Sequence, residues 1–405
     1  MPTTIDLEGL GFETGAHLLV RRALVGLAPG ERLGVRGREP ALAVHLPAWC
    51  RAHGHGVESP TAADRQSGVV AWVVTGSADR ARWAGAERAG RPGPGEVESH
   101  PSARWGLAAR GALVEADGTK SRGTQPLFDL DVRELVWADL APKLYAQAVA
   151  GQGDPATAVD WAAPTASSPE VEAAVVQVMT FLVENEQAAL VVPARFLGRI
   201  HPHFREVVQL LAVQVADEAR HIEVFTRRAL LGGGQLGTSG AGGRASLETL
   251  LAEPDFALAS FLLSVLGEGS FLNLLAFLER HAPDPVTRQV CRLALQDEAR
   301  HVAFGLAHLQ RTADADPGLR SRLRAAMERR HDALADTAGL NEEVFDSLVV
   351  LAAGSWDPAA IATGFQRVQQ LQAEMDDGRQ RRLVRLGFPA TEAGSLSVLH
   401  TRNFM

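Results

Sequence analysis

The string DEARH occurs twice, in "VADEARHIEVF" (Val215–Phe225) and in "LQDEARHVAFG" (Leu295–Gly305). The two copies occupy Asp217–His221 and Asp297–His301. On a helix, residues three apart share a face, so Glu218 points with His221 and Glu298 with His301. Their neighbours on those faces are apolar: Leu211, Val215 and Phe225 for the first copy, Leu295 and Val302 for the second. A carboxylate and an imidazole on an apolar face are costly to bury unless they bind something. A lone ExxH is a weak signal, since it is more often a surface pair or a satisfied core group. Two copies on buried-looking helices are a much stronger one.

Geometry then predicts what else is required. Two metal ions in a four-helix bundle take a Glu-x-x-His from each of two helices and one Glu from each of the other two. In "VEAAVVQVMTFLVENEQAALVV" the apolar stripe runs Val175, Met179, Leu182, Glu186, Leu190, whereas Glu184 is rotated off it. In the later segment Phe261, Val265, Glu268, Leu272 and Leu275 form a similar stripe. Antiparallel helices that bring ligands to one height must turn halfway between them. The midpoint between Glu186 and Glu218–His221 falls near Pro202, and that between Glu268 and Glu298–His301 near Pro283–Pro285. Proline breaks helices, so both turns lie where the pairing requires them.

This pattern resembles the ferritin-like di-iron carboxylate superfamily. The resemblance implies Glu186, Glu218, His221, Glu268, Glu298 and His301 as metal ligands. The acid before the ExxH glutamate looks most like the acyl desaturase, rubrerythrin and bacterial multicomponent monooxygenase branches. It implies that Asp217 supports His301 and that Asp297 supports His221. The physics agrees, because a ligand histidine usually gives its second N–H to a carboxylate. Arg220 and Arg300 then look like balancing charges. Oxygen and nitrogen ligands of this kind suit iron or manganese and disfavour a structural zinc site. The expected cofactor is therefore two Fe ions, or Mn with Fe, with O2 as co-substrate. Ribonucleotide reductase small subunits carry a radical-forming tyrosine one turn after the first ligand histidine. Phe225 stands there, and the only tyrosine is Tyr145, so a tyrosyl-radical role is not expected.

The bulk numbers exclude other classes. With 405 residues the chain can hold two or three domains, and 46% apolar with 22% charged residues is ordinary for a soluble protein. A net charge of -8 leaves no basic footprint for nucleic acid. Cys50 and Cys291 form no CxxC, which suits a reducing cytoplasm, and the N-terminus lacks a signal-peptide pattern. "FALASFLLSVLGEGSFLNLLAFLE" (Phe256–Glu279) is long enough to cross a bilayer, but Glu268 at its centre favours a helix buried in a bundle, and no membrane is expected.

The composition divides the chain at 1–76, 77–126 and 127–405. Residues 1–76 alternate strand-like and helix-like pieces in a βαβαββ order. Residues 77–126, rich in Gly, Ala, Arg and Pro, read as a linker with one short hairpin at most. From Leu127 helical periodicity dominates, interrupted by "GGGQLGTSGAGG" (Gly232–Gly243), a flexible connection, with Pro and Gly elsewhere between helices. Residues 5–76 resemble TusA-like sulfur carriers, through the "PGE" turn, the "REP" step and the "LPAWCRAHGH" helix end. That family's Cys-Pro at the mouth of the first helix is here Phe12-Glu13, so the fold is implied and sulfur transfer is not. Cys50 reads as a buried apolar residue. The Phe12 end is expected to pack on the helical domain or on a second subunit. His53 and His55 read as structural. His201 and His203 flank Pro202 and are either an accessory metal site or, as is commoner, exposed loop histidines. The tail containing His400 is expected to pack on the bundle.

The fold class expected is therefore a multi-domain α+β chain: an all-α ferritin-like bundle behind a small two-layer TusA-like domain. The function expected is an O2-activating di-iron carboxylate oxidoreductase acting on a small-molecule substrate by hydroxylation, N-oxygenation, desaturation or oxidative cleavage. Gly267 and Gly269 beside Glu268 are expected to leave room near the metals. No flavin or nicotinamide fingerprint occurs, so an external electron donor or the substrate supplies electrons. A homodimer fits as well. The alternatives are a ferroxidase or peroxide scavenger and a metal-free interaction scaffold.

Overall fold

The computed structural model describes residues 3–77, 83–115, 128–165, 168–334 and 342–399. The chain divides into two compact units, Met1–Arg88 with Ala112–Gly123, and Ala89–Gly111 with Thr124–Met405.

In the first unit β1 (Thr3–Asp6), β2 (Arg32–Arg36), β3 (Gly56–Glu58) and β4 (Val69–Val74) form one sheet in the order β1-β2-β4-β3. β1 lies parallel to β2, and β4 runs antiparallel to both β2 and β3. The pairs Leu33–Val73 and Val35–Ala71 share one face, where they pack with Val20 of α1 (Ala16–Leu24) and with Leu42 and Leu46 of α2 (Leu42–Ala52). A short α3 (Ala62–Gln66), absent from the βαβαββ reading, begins with a capping box between Thr61 and Asp64. Phe12 opens a 3-10 turn ahead of α1, is half-buried, and sets its ring edge-on to Trp49 at 5.9 Å within its own unit. Cys50 is fully buried, and burial pushes its thiol up to about 11. His53 stacks on Trp49, and His55 Nδ1 accepts from the Gly76 amide. β5 (Glu87–Arg88) pairs antiparallel with β6 (Leu113–Val114).

The second unit is helical. After Phe128 the chain does not enter a helix at once: Leu130 bridges to Ile200, because the Leu130 amide and carbonyl bond to Arg199 and His201. Helices begin with α4 (Ala141–Gly151), followed by α5 (Pro169–Leu197), α6 (Arg205–Leu230) and α7 (Ala241–Leu251). Next come α8 (Phe256–His281), α9 (Pro285–Ala315), α10 (Leu319–Leu334), α11 (Glu342–Ala353), α12 (Pro358–Arg385) and α13 (Ala390–Val398). α5 and α6 form one hairpin, α8 and α9 another, and both turns fall on the proline segments. Asp284 caps α9 through the Thr287 amide, and Pro285 occupies its first position, where no N–H is needed. Contrary to the placing of Pro between helices, Pro47 and Pro193 lie inside α2 and α5.

The Gly-rich connection is less free than its composition suggests. α7 starts within it at Ala241. Ahead of that, Gln177 donates to the Thr238 carbonyl and accepts its amide, both at 2.9 Å, while Thr180 Oγ1 accepts from the Gly237 amide.

The second unit has two apolar clusters. One holds Val171–Val183 of α5, Phe225 and Ala229 of α6, Phe271–Leu278 of α8 and Val286–Ala294 of α9. The other holds Ala188–Phe196, Val207–Leu211, Phe256–Leu266 and Phe304–Leu309 of the same four helices. Each helix therefore passes from one cluster to the other, α5 and α9 in one sense, α6 and α8 in the opposite sense. The arrangement is consistent with a ferritin-like bundle. α5 and α8 are long and apolar enough to cross a membrane, and most of each apolar window is buried inside the protein.

Candidate metal centre

The six candidate ligands on these four helices lie between the stretches that enter the two clusters. Glu186, Glu218, His221, Glu268, Glu298 and His301 are all buried to 3% exposure or less. They form two groups: Glu186, Glu218, His221 and Glu298, and Glu218, Glu268, Glu298 and His301, each with ligand atoms within 4.8 Å of one another. Glu218 and Glu298 belong to both. Glu218 Oε2 lies 3.0 Å from His221 Nδ1 and its Oε1 3.0 Å from His301 Nδ1. Glu298 does the same with Oε1 and Oε2, at 3.4 and 3.5 Å. Glu186 stands 3.7 Å from His221 only, and Glu268 4.0 Å from His301 only.

The donor set fits a pair of cations. Glu186 Oε1, Glu218 Oε1, Glu268 Oε2, both Glu298 oxygens and His301 Nδ1 make no hydrogen bond, although all are buried. Buried polar atoms normally have partners, and a cluster of orphaned carboxylate oxygens is costly unless cations claim it. Without metal the protons redistribute. Burial and the neighbouring Glu218 and Glu298 charges raise Glu186, while burial and Glu298 raise Glu268. Burial opposes charge on both histidines, yet the surrounding carboxylates raise His221 and His301 well above the ordinary imidazole range.

Behind the histidines the two DEARH segments cross. Asp297 Oδ2 accepts from His221 Nε2, and Asp217 Oδ2 from His301 Nε2, both at 3.2 Å. Each Nδ1 is thereby aimed at the carboxylates. Arg220 bonds Asp217 at 2.7 Å and Asp297 at 3.0 Å, and Arg300 bonds Asp297 and lies 3.5 Å from Asp217.

Two neighbours escaped the sequence reading. Gln214 is buried and donates to Glu268 Oε1 at 3.0 Å. It stands four residues before Glu218 on the same face, and that spacing could have revealed it. Arg382 of α12 donates from Nε to the Val265 carbonyl at 2.7 Å. Val265 lies in Phe261–Gly267, which is wound as a π-helix and ends at Glu268. Such wide turns occur often at functional sites. Gly269 makes room for this arginine and not for a metal, since a Cβ there would meet the Arg382 guanidinium at 2.5 Å. Gly267 does border a cavity, together with Glu186, Glu268 and the apolar side chains of α7 and α8.

The remaining histidines of interest lie elsewhere. His201 and His203 are buried, contrary to the exposed alternative, and belong to neither ligand group. His203 Nε2 accepts from the Glu98 amide, and His201 Nδ1 from the His203 amide, so both serve as local acceptors. Arg110 reinforces the spot with a buried two-point contact to Glu206. Segment Ala89–Gly111 is thus fastened to the helical unit and does not behave as a bare linker. Tyr145 packs against the apolar cluster that holds Ala188–Phe196, and the Phe225 and His221 ring centroids lie 6.0 Å apart. His400 lies outside the described residues.

No family model and no curated protein matches the chain. Among solved structures, an R2-like ligand-binding oxidase with an aerobically reconstituted Mn/Fe cofactor is 18% identical, covering 66% of this chain and 91% of that one, with TM-score 0.40. A mutant of an R2-like ligand-binding oxidase with the same kind of cofactor is 19% identical, covering 61% and 94%, with TM-score 0.43.

Proposed function

We propose that the chain is a di-metal carboxylate oxidoreductase that uses O2 to oxidise a small organic molecule. The observation that carries this is the six-residue cluster sealed between two apolar layers, with five of its eight carboxylate oxygens left without hydrogen bonds. Glu186 and His221 would hold one ion, Glu268 and His301 the other, with Glu218 and Glu298 between them. Bound iron, or manganese with iron, supplies the redox couple for O2 chemistry.

The protein's own contribution is legible around that cluster. Asp217 and Asp297 hold the histidines in one tautomer and one orientation. Gln214 fixes one oxygen of Glu268. The apolar clusters exclude water, which strengthens the electrostatics of the layer. Hydroxylation, N-oxygenation, desaturation and oxidative cleavage all suit such a site. We also propose that residues 5–76 are a TusA-like fold that carries no sulfur. The sheet order supports the fold reading, and Phe12 at the family's cysteine position together with the buried Cys50 thiol supports the loss. The two free, buried cysteines support a reducing compartment such as the cytoplasm.

The test is metal analysis of the purified full chain, followed by O2 uptake and product analysis with candidate amines and acyl acids. Two ions per chain and an oxidised organic product are expected. Metal-free protein from iron-replete cells would sink the reading. Fe(II) or peroxide turnover without any organic product would replace it by a scavenging role.

A further inference from the structure

Four arginines crowd the end of α12: Arg379, Arg381, Arg382 and Arg385. The C-terminal end of a helix favours cations in its last turn, which suits the exposed Arg385 but does not explain burying Arg382 to 9% exposure. Residues three and four apart lie on one side of a helix, so Arg381, Arg382 and Arg385 face one way and repel. Burial and the neighbouring Arg379 and Arg381 push Arg382 down to about 9. Its one hydrogen bond runs from Nε to the Val265 carbonyl, and a guanidinium has five N–H donors. The remaining donors of Arg382 find no acceptor among the described residues.

The lack of a carboxylate is not peculiar to Arg382, since Arg330 and Arg379 are also buried without one in ion-pair distance among the described residues. Their surroundings differ. Arg330 donates to Ser246 and Thr249 and borders a space of about 20 Å³. Burial pushes Arg379 down to about 10, but Asp376 lies near enough to oppose the effect. Arg382 instead lines an open groove of about 550 Å³, the size of a small-molecule site. Arg381 and Arg385 line the same groove, and no acid does. Arg381 meets Asp377 at 3.0 Å in an exposed pair, a kind that contributes little. The floor is an apolar stripe of α9, with Val302, Ala303, Leu306 and Ala307, flanked by Leu272 of α8. Gly269 and Gly378 keep the guanidinium at this edge, because a Cβ at either would meet it, at 2.5 and 3.2 Å.

We propose that this groove binds an apolar molecule carrying a phosphate group, with the apolar body on the α9 stripe and the phosphate beside Arg381, Arg382 and Arg385. A phosphate monoester brings up to about two negative charges and three acceptor oxygens, which matches three guanidiniums better than a single carboxylate does. Its charge relieves the repulsion among the arginines and gives Arg382 the acceptors it lacks. The groove is open along the helical unit and none of the six candidate ligands lines it, so the site stands whether or not the di-metal reading holds.

Calorimetric titration of the full chain, with and without metal, compares naphthyl phosphate with naphthol and with inorganic phosphate. The ester should bind about tenfold to hundredfold more tightly than naphthol, the range of a hydrogen bond to a charged group. It should also bind at least about tenfold more tightly than inorganic phosphate, because only the ester buries apolar surface. The order should be the same in metal-free protein. Arg381→Gln with Arg385→Gln alters exposed side chains only and should weaken the ester about tenfold, and Arg382→Gln should weaken it as well. Ala307→Trp fills the floor and should block the ester with every arginine in place. Equal binding of the ester and naphthol, or of the ester and inorganic phosphate, or no binding of the ester, would overturn the proposal. So would an affinity unchanged in the double variant or in Ala307→Trp, or one that vanishes with the metal, since the phosphate would then sit on the ions.

Discussion

Asp297 of α9 reaches across to His221 of α6, its Oδ2 3.2 Å from Nε2 of the ring. Asp217 repeats the contact with His301 at the same distance. Each histidine is thus held by the acid of the other hairpin. Asp297→Asn should leave the fold intact and weaken metal binding by on the order of 10–100-fold, the usual loss for such supporting partners. Competitive titration with a coloured chelator measures this, and unchanged affinity would remove the supporting role.

Glu218 and Glu298 belong to both ligand groups, whereas Glu186 and Glu268 belong to one each. Glu218→Ala should therefore lose both ions, and Glu186→Ala chiefly the one beside His221. Metal-to-protein ratios decide this, and the two variants should not look alike. Because carboxylate neighbours keep His221 and His301 protonated in the metal-free protein, metal uptake should release protons and weaken as pH falls. Titration in buffers of differing ionisation enthalpy reads the release.

Arg228 is fully buried and binds Glu172 at two points, Asp284 and Thr287, tying α5, α6 and the start of α9 together. Removing one member of such a network leaves buried charges unpaired. Arg228→Met should cost about 3–5 kcal/mol. Denaturant unfolding followed by circular dichroism checks the value, and a loss within experimental error would show the network to be dispensable.

His308 is fully buried between Phe256 and Phe304, and burial pushes its imidazole down to about 4. The unfolded chain titrates near the ordinary value of about 6.5. Between those values the unfolded state binds the proton and the folded state does not. Stability therefore falls as pH drops from about 6.5 to about 4, by up to a few kcal/mol from this residue. Comparing metal-free wild type with His308→Phe isolates the effect, since the variant should lose less stability across that window.

The repeated pentapeptide and the proline midpoints made the two hairpins legible, because ligands at equal height force the turns to lie halfway between them. The stripes singled out Glu186 over Glu184, and the structure buries Glu186 while leaving Glu184 half-exposed. Other features are tertiary and leave no local trace. Nothing near Gly269 in sequence announces Arg382, which arrives from a helix about a hundred residues later. Arg330 reads as one charge in "MERRHD" until α7 is packed beside it. His201 and His203 looked like loop residues because proline and polar neighbours surround them. Burial came from the Ala89–Gly111 segment folding over them, which composition presented as a linker.

Each ligand group takes three residues from one hairpin and one from the other. An isolated hairpin therefore never offers a finished set, and the exchange runs in both directions. During synthesis Glu298 emerges eighty residues after Glu218 (298 − 218), so the first hairpin waits for the second before it can hold an ion firmly. Metal capture is then the closing event of assembly, and a chain that has taken up its ions has, by that fact, docked its two halves correctly.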